Sequence, residues 1–246
     1  MSRKLAAALC ILLCVSSCAL SDKKVKTPPE TAFRQGEKLY AKEKYEAALE
    51  KWRTVKDSNT SPLLKTVTEL RIADALYKDE NYIEASAEYE NFRKLHPKNP
   101  KAPYALYMMG ICNYQQARKI DTDQAPLNNA VTHFESFLQE YPDSDLKGKV
   151  REKLADCRNK QAAYEIYVGR YYYRTDKYNA AIGRLKGSLE KYPKARGNDE
   201  ALFLLGNAYL RTGEREKAQE SLARLVKEYP VSQFTDKAKK LLTKSS

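Results

Sequence analysis

The residue best placed for covalent chemistry is Cys18, last of the run Val15, Ser16, Ser17, Cys18. A branched apolar residue, two small residues and a thiol let a peptidase draw an extended backbone close. Cutting the bond before Cys18 then leaves its thiol to be acylated. Cys14, behind the bulky Leu12 and Leu13, offers a poorer approach. The segment in front agrees: Arg3 and Lys4 form a positive leader, and Leu5 to Val15 an apolar stretch too short to stay as a membrane span. Residues 1–17 are therefore predicted to leave as a signal peptide, with Cys18 as the lipidated N-terminus. Residues 18–29, with Ser21, Lys23, Lys24, Lys26, Pro28 and Pro29, read as a flexible tether. Several acyl chains on one residue hold a membrane as a single chain does not. Ala19 stands where Asp would mark inner-membrane retention, so the expected address is the outer membrane, facing the periplasm.

Other chemistry finds little support. The two histidines, His96 and His133, have no Cys or carboxylate spacing that makes a metal site. No glycine loop runs into Lys and Ser or Thr, and no Ser sits in a nucleophile elbow. Carboxylate pairs such as Glu88 and Glu90 belong to solvated helices. No catalytic residue, metal or cofactor is expected. The formal charge of +12 is interspersed with acids along the chain rather than gathered in a block, which argues against a nucleic-acid partner. Without the leader and Cys18, the cysteines left are Cys112 and Cys157, expected as unpaired core residues.

The elements that must carry any site emerge by period. At 246 residues and 42% hydrophobic content, the chain is long enough for a repeat stack with a real core. Tyr45, Ala48, Trp52 recur as Tyr82, Ala85, Tyr89 and as Tyr178, Ala181, Leu185, at offsets that share one helix face. Ala130 with Phe134, and Ala218 with Leu222, continue the register. Pro97, Pro142, Pro193 and Pro230 follow as helix stops. Twelve residues before each alanine comes a small residue, Gly36, Ala73, Gly169 or Gly206, and Gly110 takes that role in the third unit. This pattern resembles the tetratricopeptide repeat and predicts an all-α, right-handed superhelical stack of about five helical hairpins with a C-terminal capping helix. The third unit carries about eight extra residues near Lys119 to Pro126, and the fourth opens with a long helix from about Asp145 to Arg174. Ser232 is expected to cap a final helix running through Leu242. Units 1–3 fall at 30–143, and units 4–5 with the capping helix at 144–246.

Such a stack presents the first helix of each pair to a concave face. Tyr40, Tyr77, Tyr114 and Tyr173 share one phase there, and Phe33, Leu70, Tyr107, Ile166 and Phe203 another. Glu37 and Asp74 stand early along this face, and Arg170, Arg174 and Arg211 late. An aromatic groove suits an extended or hairpin peptide rich in aromatic side chains. Groove phase therefore nominates Phe33, Tyr40, Asp74 and Tyr77 as a client-binding set.

Particular segments go beyond the repeat consensus. They are TyrAlaLeuTyrMetMetGly at 104–110, AspThrAspGln at 121–124, SerPheLeuGlnGluTyrProAspSer at 136–144, GluIleTyrValGlyArgTyrTyrTyr at 165–173 and TyrAsnAlaAlaIleGlyArg at 178–184. With the insertion and the long helix in place, the chain from Cys18 onward resembles the BamD family of outer-membrane lipoproteins. The resemblance implies a noncatalytic member of the BAM complex, whose first repeats recognise unfolded β-barrel clients. It further implies that the last repeats dock on the POTRA region of BamA, beside the other BAM lipoproteins. Arg184 matches the family's docking arginine, and Arg170 and Arg174 lie near it in sequence. The alternative is another periplasmic repeat lipoprotein, an adaptor for cell-envelope or peptidoglycan machinery.

Overall fold

The computed structural model describes residues 27–117 and 123–245, which form eleven α-helices and no strand. The expected signal peptide, Cys18, most of the expected tether and part of the expected insertion lie outside the described residues. The helices pair in chain order: α1 (Pro29–Tyr40) with α2 (Tyr45–Lys56), α3 (Pro62–Lys78) with α4 (Tyr82–Leu95), and α5 (Ala102–Gln116) with α6 (Ala125–Glu140). Then come α7 (Lys147–Arg174) with α8 (Tyr178–Lys191), α9 (Asn198–Thr212) with α10 (Arg215–Glu228), and α11 (Thr235–Ser245) against α10. Each hairpin also packs on the next, so five repeat units form one continuous stack.

The small residues explain how closely the paired helices approach. A methyl group on Gly36 would stand 2.3 Å from the Trp52 ring, and one on Gly110 would stand 2.4 Å from Phe134. Gly169 faces Leu185 and Gly206 faces Leu222 in the same way, at 2.7 and 2.6 Å. In these four units the large residue of the second helix fills the notch left on the first.

Both ends of the hairpins follow from local chemistry. Helices α4, α6, α8 and α10 each end two residues before a stop proline. Their closing residues His96, Tyr141, Tyr192 and Tyr229 share φ between −130° and −127° and ψ between 55° and 61°, outside the helical region, as a following proline requires. Between the helices of a pair, Glu43, Glu80, Asp176 and Gly213 adopt left-handed backbone, the standard way to end a helix and reverse the chain. Ala117 occupies that place in the third unit but keeps a negative φ of −81°, and the connection to α6 is longer there.

Two cores result. The first holds Trp52, Tyr89, Phe92, Phe134 and Phe137, and the second Leu185, Leu202, Leu222 and Leu225. The 28-residue α7 serves both, giving Val150, Leu154 and Cys157 to the first and Ile166 to the second. Cys112 and Cys157 are both buried and unpaired in the first core, where burial pushes each thiol up to about 12. The last helix differs from expectation. It starts at Thr235 rather than behind Ser232, because the Ser232 hydroxyl donates to Asp199 at 2.5 Å and accepts from the Phe234 N–H. Ser232 thus ties the turn to α9 and caps nothing.

Candidate functional site

Asp74 follows Ala73 on α3 and faces the next hairpin. Its Oδ1 accepts a hydrogen bond from Tyr89 Oη on α4 at 2.7 Å and another from Tyr104 Oη on α5 at 2.9 Å. The two tyrosine rings meet edge to face, 6.1 Å between centroids. Asp74 Oδ2 lies 3.9 Å from Arg71, whose guanidinium reaches back to Glu37 on α1 at 3.0 Å. Burial pushes the Asp74 carboxyl above its usual range, against the opposing pull of the two phenols and Arg71. Burial also drives the Tyr89 and Tyr104 phenols upward, so both remain neutral donors.

Beside this network opens a cavity of about 550 Å³. Tyr40 of α1, Tyr77 of α3, and Tyr104, Tyr107 and Tyr114 of α5 line it. The phenols of Tyr40, Tyr107 and Tyr114 are also raised by burial, so the wall offers neutral hydroxyl donors on apolar rings. A second hollow of about 410 Å³, with Val67, Leu70 and Asn99, shares Arg71, Asp74 and Tyr104 with the first. Asp74 and its partners therefore stand between two adjoining depressions.

The charge of the site corrects the sequence reading. Glu37 and Asp74 suggested an acidic start to the groove, but Arg71 engages both, and Lys78 and Lys153 complete the cavity's charged lining. With Glu37 counted beside the Arg71 that it holds, three cations face two carboxylates, which leaves the site net basic by one formal charge. Lys153 and Lys160 of α7 lie 5.0 and 4.1 Å from the centroid of Tyr114, a cation–π arrangement. Lys160 also donates to the Ala117 carbonyl at 3.0 Å, holding the end of α5.

Of the nominated groove residues, the structure gathers Tyr40, Asp74 and Tyr77 at the cavity and leaves Phe33 outside its lining. Phe33 leans on Trp52, 6.3 Å between ring centroids, and its carbonyl accepts from the indole N–H at 3.3 Å. Ile166 is core, and Phe203 stacks on Phe234 at 5.1 Å. The arginines diverge. The Arg170 fork is taken by Glu200 on α9 through bonds of 2.6 and 2.8 Å, which ties α7 to α9. Arg184 on α8 is half-exposed and meets Glu165 at 3.1 Å, while Arg174 is exposed at the end of α7. Tyr104 and Arg71 escaped the sequence reading because their roles depend on contacts between units, which the repeat period does not encode. His96 joins two helices: its Nε2 lies 2.6 Å from the buried Glu69 carboxylate.

A family model, YfiO, described as outer membrane lipoprotein, matches residues 25–223. The chain belongs to that family. Similar proteins include the outer membrane protein assembly factor BamD of Caulobacter vibrioides, 29% identical over 96% of this chain and 79% of the relative. The BamD of Neisseria meningitidis serogroup A is 26% identical over 90% of each, and that of Rickettsia prowazekii 25% identical over 98% of this chain and 97% of the relative. Among solved structures, the TPR2AB domain of yeast Sti1 covers 88% of this chain and 84% of its own at a TM-score of 0.43 and 12% identity. The five hairpins themselves carry the fold assignment. Within the YfiO match fall both hollows and all three arginines.

Proposed function

We propose that this YfiO-family lipoprotein is an outer-membrane protein assembly factor that works by holding polypeptide rather than by catalysis. The observation that carries the proposal is the net basic, tyrosine-lined cavity across the first three hairpins, in a chain whose relatives bear the assembly-factor name. An unfolded β-barrel strand offers alternating aromatic side chains and unpaired backbone carbonyls. Neutral tyrosines meet both, with ring faces for the first and hydroxyl donors for the second. Tyr40, Asp74 and Tyr77 would grip the client, with Phe33 supporting from behind.

At the other end, Arg184 and Arg174 present exposed cations that would dock on a carboxylate of the BamA POTRA region, and Arg170 would hold the surface in shape through Glu200. A guanidinium is apt there because its planar fork pairs bidentately with carboxylates. The membrane link would be the acylated Cys18. Among the described residues no helix is long and apolar enough to cross a membrane. The test is photocrosslinking in intact envelopes, with probes at Tyr77 and Arg184. Client β-barrel precursors are expected at the first and BamA at the second, and Arg184→Glu should abolish the BamA adduct with helicity unchanged. Recovery of peptidoglycan synthases at both positions without BamA would overturn the proposal.

A further inference from the structure

On the opposite face of α7 lies a larger hollow of about 830 Å³ that shares no lining residue with the tyrosine cavity. At about 100° per residue, Arg151, Ala155 and Arg158 point roughly 140–160° away from Lys153, the α7 residue that lines the tyrosine cavity. The floor is apolar and comes from three elements: Leu138 of α6, Leu154 and Ala155 of α7, and Tyr192 with Pro193 in the loop between α8 and α9.

The loop that forms one wall is fixed in place. The Arg196 backbone N–H donates to Asn159 Oδ1 on α7 at 3.0 Å, and Asn198 Nδ2 donates to the Tyr192 carbonyl at 2.9 Å. Tyr192 and Ala195 pack with Ala162 of α7 as a small cluster separate from the two main cores. The hollow is therefore preformed, at the level of α7 where one core gives way to the other, and its occupant would need no rearrangement of the wall.

Its charge selects the occupant. Arg151, Arg158, Lys191 and Lys194 surround the floor, and Glu135, the acidic residue of the lining, is already held by Arg158 at 3.0 Å. The chain's own N-terminal segment, with Lys23, Lys24 and Lys26, has the wrong sign to fill it. From an apolar floor ringed by cations, we infer that this hollow is a docking site for an acidic amphipathic helix of a partner protein. Two or three leucine-sized side chains at helical spacing would enter the floor, while carboxylates on the helix flanks meet the rim. This site is separate from the client cavity and stands or falls independently of the assembly reading.

The probe is a fluorescent synthetic peptide of eighteen residues, with leucine along one helical face and glutamate on the other, titrated into the full chain in detergent. Saturable binding is expected, weakening about tenfold or more with Ala155→Trp, which fills the floor from an exposed position, and with Lys194→Glu on the rim. Raising salt from 50 to 200 mM should weaken binding further. Circular dichroism checks each variant's fold, and the exposed Lys194→Glu keeps the test open should Ala155→Trp disturb packing. Equal binding of a scrambled peptide or of one with lysine for glutamate would overturn the proposal, as would undiminished binding to both variants. Vesicles of phosphatidylglycerol serve as the rival arm: binding that both variants weaken, with no peptide binding, would assign the surface to anionic lipid and sink the helix proposal.

Discussion

The two cores solve one geometric problem with different side chains. In each hairpin a large residue of the second helix must fill the notch above a small residue of the first. Units 1 and 3 use the rings of Trp52 and Phe134, units 4 and 5 use Leu185 and Leu222, and unit 2 carries the buried Tyr89 at the same register position. An indole or a phenol carries a polar atom inward that must find a partner. Trp52 finds the Phe33 carbonyl and Tyr89 finds Asp74, so the first core brings a buried polar network and, beside it, a cavity. Leucine makes no such demand. Leucines fill the notches of the second core, and charge at that end is displayed outside, in Arg170 with Glu200 and Arg184 with Glu165. Aromatic filling thus couples packing to recognition in the first three units, whereas aliphatic filling separates them in the last two.

The sharpest way to break this contrast is to crowd the notches. A rigid ring cannot yield to an added methyl group as a leucine can. Gly36→Ala should destabilise by about 3 kcal/mol, since its methyl would overlap the Trp52 ring. In Gly206→Ala the methyl would meet Cγ of the buried Leu222 at 2.6 Å, but leucine repacks more readily than an indole and alanine gains up to about 1 kcal/mol of helix propensity over glycine. That variant should destabilise by about 1–2 kcal/mol, less than Gly36→Ala. Urea unfolding of both decides the matter, and equal losses would show that ring and leucine are equally rigid fillers.

Next in size is Asp74. Asp74→Leu leaves the Tyr89 and Tyr104 hydroxyls without their acceptor and should cost about 2 kcal/mol. Asp74→Asn probes the charge. Because burial raises the folded carboxyl above its unfolded value near 3.9, the unfolded chain loses this proton first as pH rises. The Asp74 contribution to stability is therefore fully present below the unfolded pKa and declines as pH climbs through the raised folded pKa. The stability of the parent relative to Asp74→Asn should fall over that window, measured by urea unfolding at matched pH values. A rise would mean that the phenols and Arg71 outweigh burial.

The contrast between cores also marks how far the chain could be read in advance. The alanines, notch residues and stop prolines recur at fixed spacing because they satisfy contacts within one hairpin, so their pattern alone placed helices α1 to α10. The long helix α7 was legible for the same reason. Asp74 was nominated from its phase, but its partners Tyr89 and Tyr104 come from two other helices, and the Arg170 to Glu200 pair bridges α7 and α9. Such contacts depend on the angle and register between neighbouring helices, which side-chain volumes set and no period records. Phe33 shows the same limit: it has the groove phase, yet the large Trp52 draws it inward. Ser232 had a capping residue's type but met Asp199 first.

The smallest expected effect lies in the turns, where the first and last units again differ. Glu43 holds a φ of +58° and Gly213 a φ of +84° at the equivalent place seven residues after the notch. Both turns close alike, with the Lys44 N–H on the Leu39 carbonyl at 3.0 Å and the Glu214 N–H on the Tyr209 carbonyl at 2.9 Å. A side chain costs about 1 kcal/mol in that backbone region, whereas glycine enters it freely but loses more freedom on folding. Glu43→Gly should therefore stabilise by about 0.5 kcal/mol, and Gly213→Ala should destabilise by about 1 kcal/mol. Thermal unfolding of the two variants reads both signs. If Glu43→Gly instead weakens the fold, the entropy lost by glycine outweighs the relieved strain, and the glutamate turns of the first two units suit their place as well as Gly213 suits the fifth.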